Sequence, residues 1–300
     1  MKKPARRKAP EQRLDIFPHI FPKAYFDRMM KIAETNPGLA AAIKRWMHVP
    51  VLWDLDRRIK MMKRWPGYQQ VLTLSMPAVE FLGDENQTPE LARLANDGMA
   101  EIVAQHPELF PCFVASLPMN NVAASLEEMD RAIGKLGAKG IQIFTNVNGR
   151  PLDEPEFYPI FERMSKKYDL PIWVHPSRTA KWPDYPTEQK SKYEIWWLFG
   201  WPYETSAFMA RLVFSQMFEK LPKLKIITHH LGATRSISQH WWTRAAPNRW
   251  RRWPRSAASP RSTSMQQHRC TPSRGASTIT ARAAASSARL PRCAALQWAR

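Results

Sequence analysis

Apolar runs and amphipathic stretches alternate along the chain up to about residue 230. The apolar runs have the composition of buried strands, and helical spacing of apolar residues follows every run except the last. The predicted strands are 13–17, 69–76, 111–118, 140–146, 170–176 and 224–230. The predicted helices are 23–34, 53–65, 89–107, 122–137, 156–169 and segments of 189–220. Because strands and helices alternate, the pattern predicts a parallel sheet that is buried on both faces.

Two architectures share this alternation: a doubly wound open sheet and a (β/α)8 barrel. A dinucleotide-binding open sheet has a glycine-rich turn after its first strand. The residues that end the first predicted strand and follow it read FPHIFPK and contain no glycine. We therefore predict the α/β fold of a (β/α)8 TIM barrel, whose two remaining strands would have to come from residues after 230.

The alternation stops close to Leu231. From there to Arg300 the sequence has no Asp, Glu, Lys, Val, Phe or Tyr, and it holds 13 Arg. Such a segment has too few large apolar side chains to offset the entropy of ordering it. We predict a barrel domain over 14–233 that lacks its last strands, followed by a tail over 234–300. The tail is expected to be disordered or translated out of frame from a GC-rich gene.

The net charge of +19 comes mainly from this tail, and a basic leader over 1–13, predicted to be disordered, adds to the rest. An Arg- and Trp-rich tail can bind nucleic acid through phosphates and stacked bases. Acidic residues are absent from Leu231 onward, and such an abrupt change in composition favours a changed reading frame instead. We therefore do not expect a nucleic-acid partner.

The cysteine content and the length of the apolar runs indicate a cytoplasmic protein. Three cysteines without a CxxC pair provide no disulfide framework, which favours a reducing compartment. No apolar run approaches the roughly 18–20 residues that span a bilayer. The leader also lacks the apolar segment of a secretory signal. We expect no membrane partner.

Histidines lie at the ends of three predicted strands, namely His19, His175 and His230. In a parallel barrel the active site lies at the carboxyl ends of the strands, and imidazoles from converging loops are typical ligands of zinc. His229 precedes His230, and neighbouring side chains of a strand point to opposite faces. One of this pair should therefore point into the barrel and the other toward the helices, and the pattern does not say which.

Four stretches carry a resemblance to a known family: LDIFPHIFP, ELARLANDGMAEIVAQHPELFPCFVASLPM, LGAKGIQIFTNVNGRPLDEPEFYPIFERMSKKYDLPIWVHP and LPKLKIITHHLGA. Over about 14–233 the chain resembles the amidohydrolase-related family, in the branch of metal-dependent decarboxylases similar to aminocarboxymuconate-semialdehyde decarboxylase. The resemblance implies one divalent metal ion, commonly zinc, at the top of a (β/α)8 barrel.

The resemblance also implies roles for the histidines. The family motif D-x-H-x-H corresponds to D-I-F-P-H over 15–19, so His19 matches the second ligand and Phe17 stands in place of the first. His175 matches the ligand of the fifth strand, and His230 matches the acid/base histidine of the sixth. The family's final ligand is an aspartate, and no aspartate follows Asp184.

The implied reaction is the non-oxidative decarboxylation of a small aromatic or conjugated carboxylic acid, in which a proton reaches the α-carbon before CO₂ leaves. Hydrolysis of a carbonyl by the metal-bound water would use the same residues. Because Phe17 and the missing aspartate remove two expected ligands, an inactive truncated relative is a further alternative.

The loop after the fifth predicted strand holds candidate substrate-binding residues, Arg178 and Trp182. Arg178 suits the binding of a carboxylate, although a solvated loop arginine explains it equally well. Trp196, Trp197 and Trp201 could cover an aromatic substrate or form a subunit contact. A homodimer is expected by analogy with the family.

Overall fold

The computed structural model describes residues 12–232, without the side chains of Arg45 and Leu231. Apart from residues 12 and 13, the predicted leader lies outside this range. The predicted tail over 234–300 and any further strands after residue 232 also lie outside it. The domain boundaries proposed from the sequence therefore stay predictions.

The strands form one parallel wall with a small hairpin beside it. The described strands are β1 (Arg13–Asp15), β2 (His19–Ile20), β3 (Tyr68–Leu74), β4 (Cys112–Phe113), β5 (Ala115–Ser116), β6 (Ile141–Phe144), β7 (Asn146–Val147), β8 (Arg150–Pro151), β9 (Ile172–His175) and β10 (Ile226–Thr228). β3 pairs in parallel with β1, β2 and β4. β5, β6, β9 and β10 pair in parallel in that order, and β7 and β8 form the antiparallel hairpin. Only one residue separates β4 from β5, so the wall is continuous from β1 to β10.

Helices follow the strands of the wall, as expected for β/α units. The described helices are α1 (Lys23–Glu34), α2 (Pro37–Met47), α3 (Leu55–Met62), α4 (Thr88–Gln105), α5 (Val122–Gly134), α6 (Tyr158–Glu162), α7 (Ile195–Leu198), α8 (Gly200–Phe214) and α9 (Met217–Lys220). α2, α3 and α5 begin after Asn36, Asp54 and Asn121, whose side chains each accept a hydrogen bond of 3.0 Å from the backbone N–H three residues on. These caps satisfy amides that have no partner inside the helix. None of the described helices is both long and apolar enough to cross a membrane.

The strands are buried on both faces because they separate two apolar clusters. The larger cluster lies between the wall and the helices. The smaller one lies on the other face of the wall and consists of Val71, Cys112, Val114, Trp173 and Ile227 with the partly buried Leu14 and Ile16. The indole N–H of Trp173, on β9, donates to the carbonyl oxygen of Ile16, after β1, at 3.0 Å. Side chains therefore fill the inside of the wall, and this packing forms the floor beneath the strand ends.

The structure corrects the predicted elements at three places. α2 was missed, and residues 189–194 do not form a helix. Asp184 accepts hydrogen bonds from the hydroxyl of Ser191 (2.8 Å) and the amide of Lys192 (3.0 Å), and Tyr193 and Glu194 have positive φ angles. Both features hold this segment as a loop until α7 begins. The last predicted strand is also shorter than expected, because β10 ends at Thr228.

A buried carboxyl group lies in the loop after β3. Glu80 is 4% exposed, and its Oε1 has no hydrogen-bond partner among the described residues. Burial raises the pKa of Glu80 from 4.5 to about 7. Because the folded chain binds this proton more tightly than the unfolded chain, Glu80 should lower stability progressively as pH rises from about 4.5 to about 7.

We expect Glu80→Gln to remove this loss, so that the variant gains roughly 3 kcal/mol over the wild-type chain between pH 4.5 and pH 8. Urea unfolding of both proteins at the two pH values measures the difference, and other titrating groups cancel in it. If the free energy of unfolding had the same pH dependence in both proteins, Glu80 would ionise without destabilising the fold.

Candidate metal centre

Three histidines meet at the carboxyl ends of the parallel strands. His19 begins β2, His175 ends β9 and His229 follows β10. One ring nitrogen of each lies within 4.8 Å of the other two. The rings of His19 and His229 are stacked with centroids 5.2 Å apart, and His175 stands edge-on to both, at 5.1 and 4.9 Å. The structure therefore brings together the two predicted ligands, His19 and His175, and adds His229.

Hydrogen bonds orient two of these rings. Nδ1 of His175 donates to the carbonyl oxygen of Pro176 at 2.8 Å, which leaves the lone pair on Nε2. The hydroxyl of Thr73 donates to the carbonyl oxygen of Pro18 and lies 2.8 Å from Nδ1 of His19. A hydroxyl has one hydrogen, so Nδ1 of His19 donates in this contact. Histidine ligands of metals are commonly oriented by such bonds to the other ring nitrogen.

The three rings are held in the neutral form that binds metals. Burial, together with the positive charges of His230 and Arg58, lowers the pKa of His19 to about 4. The pKa values of His175 and His229 lie well below 6.5, first because of burial and then because of the neighbouring histidines. Neutral imidazole is the form that coordinates a metal ion.

An unsatisfied nitrogen shows that these residues fit a metal ion. His229 is 2% exposed, and its Nε2 has no hydrogen-bond partner in the part of the chain that the structure describes. A buried polar atom without a partner costs on the order of 1–3 kcal/mol. A divalent ion that accepts nitrogen ligands, such as zinc, would satisfy this atom together with the nitrogens of His19 and His175.

His230 also lies at this centre, which corrects the expectation that it and His229 point to opposite faces. That expectation was wrong because β10 ends at Thr228 and His230 has a positive φ of 53° in the following turn. Nε2 of His230 lies 3.4 Å from Nε2 of His175. The predicted acid/base residue is therefore beside the cluster, while its neighbour joins the cluster itself.

Phe17, at the position where the family motif has a histidine, lies against the cluster. Its side chain is 40% exposed, and its ring stands edge-on to His229 with centroids 5.1 Å apart. The phenyl ring offers no ligand atom, so its contribution is packing against one face of the centre.

The predicted substrate-binding residues lie on neighbouring loops. Arg178 forms an ion pair of 3.4 Å with Glu204, donates to the carbonyl oxygen of Pro183 at 3.2 Å, and lies over the ring of Trp182 at 5.6 Å. Burial raises the pKa of Glu204, although Arg178 opposes this shift. These contacts hold the guanidinium in place, and Arg178 is not the solvated loop residue of the alternative interpretation.

A cavity of about 270 Å³ lies beside this loop. Trp182 and Glu204 line it, together with Thr145, which follows β6, and Asn146, which begins β7. The amide of Thr145 donates to the carbonyl oxygen of His175 at 3.0 Å, so the cavity adjoins the strand that carries this histidine. The described residues that line the cavity do not include the three clustered histidines.

Sequence reasoning missed a buried arginine behind the centre. Arg58 on α3 is 3% exposed and donates to the carbonyl oxygens of His19 and Val51 and to Oε1 of Gln70. These bonds fix the backbone of His19. The signal was present, because Arg58 lies four residues before Met62 and therefore on the buried face of the helix.

Trp201 covers the centre from the side of α8. It is 8% exposed, and its ring centroid lies 5.2 Å from that of His175 and 5.4 Å from that of His230. Trp196 and Trp197 both pack edge-on against it, with ring centroids 6.0 Å away. Of the three tryptophans considered in the sequence, Trp201 is thus the one that contacts the histidines.

Comparisons with known proteins agree with this geometry. The sequence model of a family described as amidohydrolase matches residues 19–286. The chain is 34% identical over 182 residues to 2-amino-3-carboxymuconate-6-semialdehyde decarboxylase of Dictyostelium discoideum. This alignment covers 61% of this chain and 49% of the relative. The chain is also 33% identical over 187 residues to gamma-resorcylate decarboxylase of a Polaromonas species. That alignment covers 59% of this chain and 55% of the relative. The chain thus spans about half the length of the curated relatives it matches.

A solved structure shows the same fold. The 5-carboxyvanillate decarboxylase of Novosphingobium aromaticivorans, complexed with manganese and 4-hydroxy-3-methoxy-5-nitrobenzoic acid, superposes with a TM-score of 0.68 at 25% identity. The match covers 82% of this chain and 73% of the other. Together with the family match, it confirms the predicted (β/α)8 barrel.

Proposed function

The chain belongs to the amidohydrolase family, and we propose that it is a metal-dependent, non-oxidative decarboxylase of a small aromatic or conjugated carboxylic acid. The cluster of His19, His175 and His229 carries the proposal, because three neutral imidazoles at the carboxyl ends of barrel strands could hold a metal ion where barrel enzymes have their active sites. The similarity to decarboxylases of aromatic and conjugated acids supports the choice of reaction.

The proposed cofactor is one divalent ion, held by His19, His175 and His229. Zn²⁺ is our first choice because it favours nitrogen ligands, and Mn²⁺ is the alternative because a similar decarboxylase structure contains manganese. When bound, such an ion supplies a positive charge for the substrate's oxygens and lowers the pKa of a coordinated water. Zinc and manganese can be distinguished by which of them the purified chain retains.

His230 is the proposed acid/base residue. Its ring lies beside His175, where an imidazole can pass a proton to or from a substrate, and burial lowers its pKa. In the proposed reaction a proton is added to the carbon that bears the carboxylate. The bond from this carbon to the carboxylate then breaks, its electron pair restores the double bond that protonation consumed, and CO₂ leaves.

Arg178 and Trp182 are the proposed substrate-binding residues. Glu204 and the ring of Trp182 orient the guanidinium beside the cavity, where it can bind a carboxylate or phenolate. We expect Arg178→Met to raise KM by roughly 10- to 100-fold with a smaller change in kcat, since a charge-assisted hydrogen bond contributes about 1.5–3 kcal/mol.

Steady-state kinetics of this variant test the assignment. Arg150→Met provides the control, because Arg150 is also ion-paired, with Glu154 and Glu156, but is half exposed. If Arg178→Met lowered the melting temperature and left KM unchanged, Arg178 would only anchor its loop.

Release of CO₂ from a panel of acids tests the proposed reaction. The panel consists of gamma-resorcylate, 5-carboxyvanillate and 2-amino-3-carboxymuconate semialdehyde, each incubated with the full chain and Zn²⁺ or Mn²⁺. We expect CO₂ and the decarboxylated product from at least one acid. Hydrolysis of aryl esters or amides without CO₂ release would instead favour the hydrolase, which shares these residues, and no turnover of any compound would favour the inactive relative.

We further propose that the protein acts in the cytoplasm as a homodimer. Large aromatic side chains are exposed within residues 193–204, namely Tyr193, Phe199 and Tyr203. A second subunit could cover them. Light scattering after size exclusion distinguishes a dimer of about twice 34.8 kDa from a monomer.

A further inference from the structure

We propose that His229 is the third metal ligand of this chain, in the place that the side chain at position 17 would otherwise take, and that Phe17 is a positioning residue for His229. This inference rests on the proposed function, since it concerns the ion that the decarboxylase would hold. It assigns the ligand role to His229 and a packing role to Phe17, which stands where the motif over 15–19 has a histidine.

Position 17 lies where its side chain reaches the cluster. Phe17 lies between β1, which ends at Asp15, and β2, which begins at His19. The ring of Phe17 is 5.1 Å from that of His229, and the ring of His19 is 5.2 Å from it on another side. A histidine at position 17 would therefore place its ring against the volume that His229 occupies.

The backbone of His229 is fixed on both sides of the residue. Its amide donates to the carbonyl oxygen of Val174 at 3.1 Å, which continues the pairing between β10 and β9, and its own carbonyl oxygen accepts from the amide of Gly232 at 3.2 Å. The ring is enclosed by Phe17, His19 and His175. Because little conformational freedom remains, the nitrogen of His229 is already in place for a ligand.

His229 and His230 differ in a way that assigns them different tasks. His229 is 2% exposed with an unpartnered Nε2 among the described residues, and it belongs to the group whose nitrogens lie within 4.8 Å. His230 is more exposed and does not belong to that group; its Nε2 lies 3.4 Å from Nε2 of His175, and its ring centroid lies 6.1 Å from that of His229. The geometry therefore gives the ligand role to His229 and leaves His230 outside the ligand set.

Four variants of the full chain test this inference: His229→Asn, Phe17→His, the double variant with both changes, and His48→Asn as a control on an exposed histidine after α2. Isothermal titration with Mn²⁺ and with Zn²⁺ gives the affinity, and the visible spectrum of the Co²⁺-loaded protein reports on the ligand set. Melting temperatures without metal show whether each variant is folded, and His229→Gln replaces His229→Asn if the latter does not fold.

We expect His229→Asn to weaken metal binding at least ~100-fold, since even residues that only support a ligand change affinity by about 10- to 100-fold. The double variant should recover at least ~10-fold of this loss, because the new imidazole at position 17 reaches the same volume. His48→Asn should bind like the wild-type chain.

Two results would overturn the inference while the proposed function stands: wild-type affinity in His229→Asn, or a double variant that binds no more tightly than His229→Asn. A wild-type chain that binds neither Mn²⁺ nor Zn²⁺ would instead contradict the proposed function itself. The two failures are therefore distinguishable in the same titration.

Discussion

Replacing His175 with asparagine is expected to abolish tight metal binding and to lower kcat/KM for decarboxylation by at least ~10³-fold. His175 lies at the centre of the cluster, since its ring contacts those of His19, His229 and His230. Asparagine is too short to bring a ligand atom to the place of Nε2. A bound ion contributes several kcal/mol to transition-state stabilisation, and each 1.36 kcal/mol corresponds to a tenfold change in rate.

The measurement is the metal content of the purified variant together with its steady-state kinetics on the acid that the wild-type chain decarboxylates. His106→Asn is the matched control, because His106 follows α4 and lies outside the cluster. Full activity in His175→Asn would show that the reaction does not depend on this centre.

Adding a single methyl group at Gly140 is expected to destabilise the fold by about 3 kcal/mol. A Cβ at this position would overlap the carbonyl oxygen of Pro171 and lie 2.6 Å from Cζ3 of Trp173. Gly140 precedes β6 where it pairs with β9, and Trp173 fills the inside of the wall. The backbone cannot move away without disturbing the pairing of β6 with β9, and the indole cannot move without losing its packing contacts. Overpacking of this kind costs about 1–3 kcal/mol or more.

Gly134→Ala is the matched control for Gly140→Ala. Gly134 ends α5, and a Cβ there would have no heavy atom of another residue within 4 Å apart from its own helix and neighbours. Alanine is favoured over glycine in a helix by up to ~1 kcal/mol, so this variant should be equal to or more stable than the wild-type chain. Urea unfolding of both variants measures the contrast, and equal stabilities would contradict the close packing of β6 on β9.

The order of strands and helices could be predicted because parallel strands buried on both faces are continuous apolar runs. All six predicted strands have a counterpart in the structure, as do the helices with clear apolar spacing. The segment over 189–194 could not be predicted, because its loop depends on hydrogen bonds from Ser191 and Lys192 to the side chain of Asp184. A helical pattern in the sequence does not report such contacts.

The candidate site was predictable only in part. His19 and His175 could be found because they lie at strand ends, where a barrel collects its functional residues. The choice between His229 and His230 could not be made, because alternation holds only within the strand, and β10 ends before both. Arg58 and Thr73 support His19 from distant parts of the sequence, so tertiary structure was needed to see them.

Anomalous diffraction from crystals of the full chain grown with Mn²⁺ or Zn²⁺ tests the central claim most directly. We expect one strong peak per chain, with a ring nitrogen of His19, of His175 and of His229 each about 2.0–2.3 Å from it. An ion bound away from His19 and His175, or no peak at a metal concentration that saturates related decarboxylases, would contradict the proposed metal centre and the function built on it.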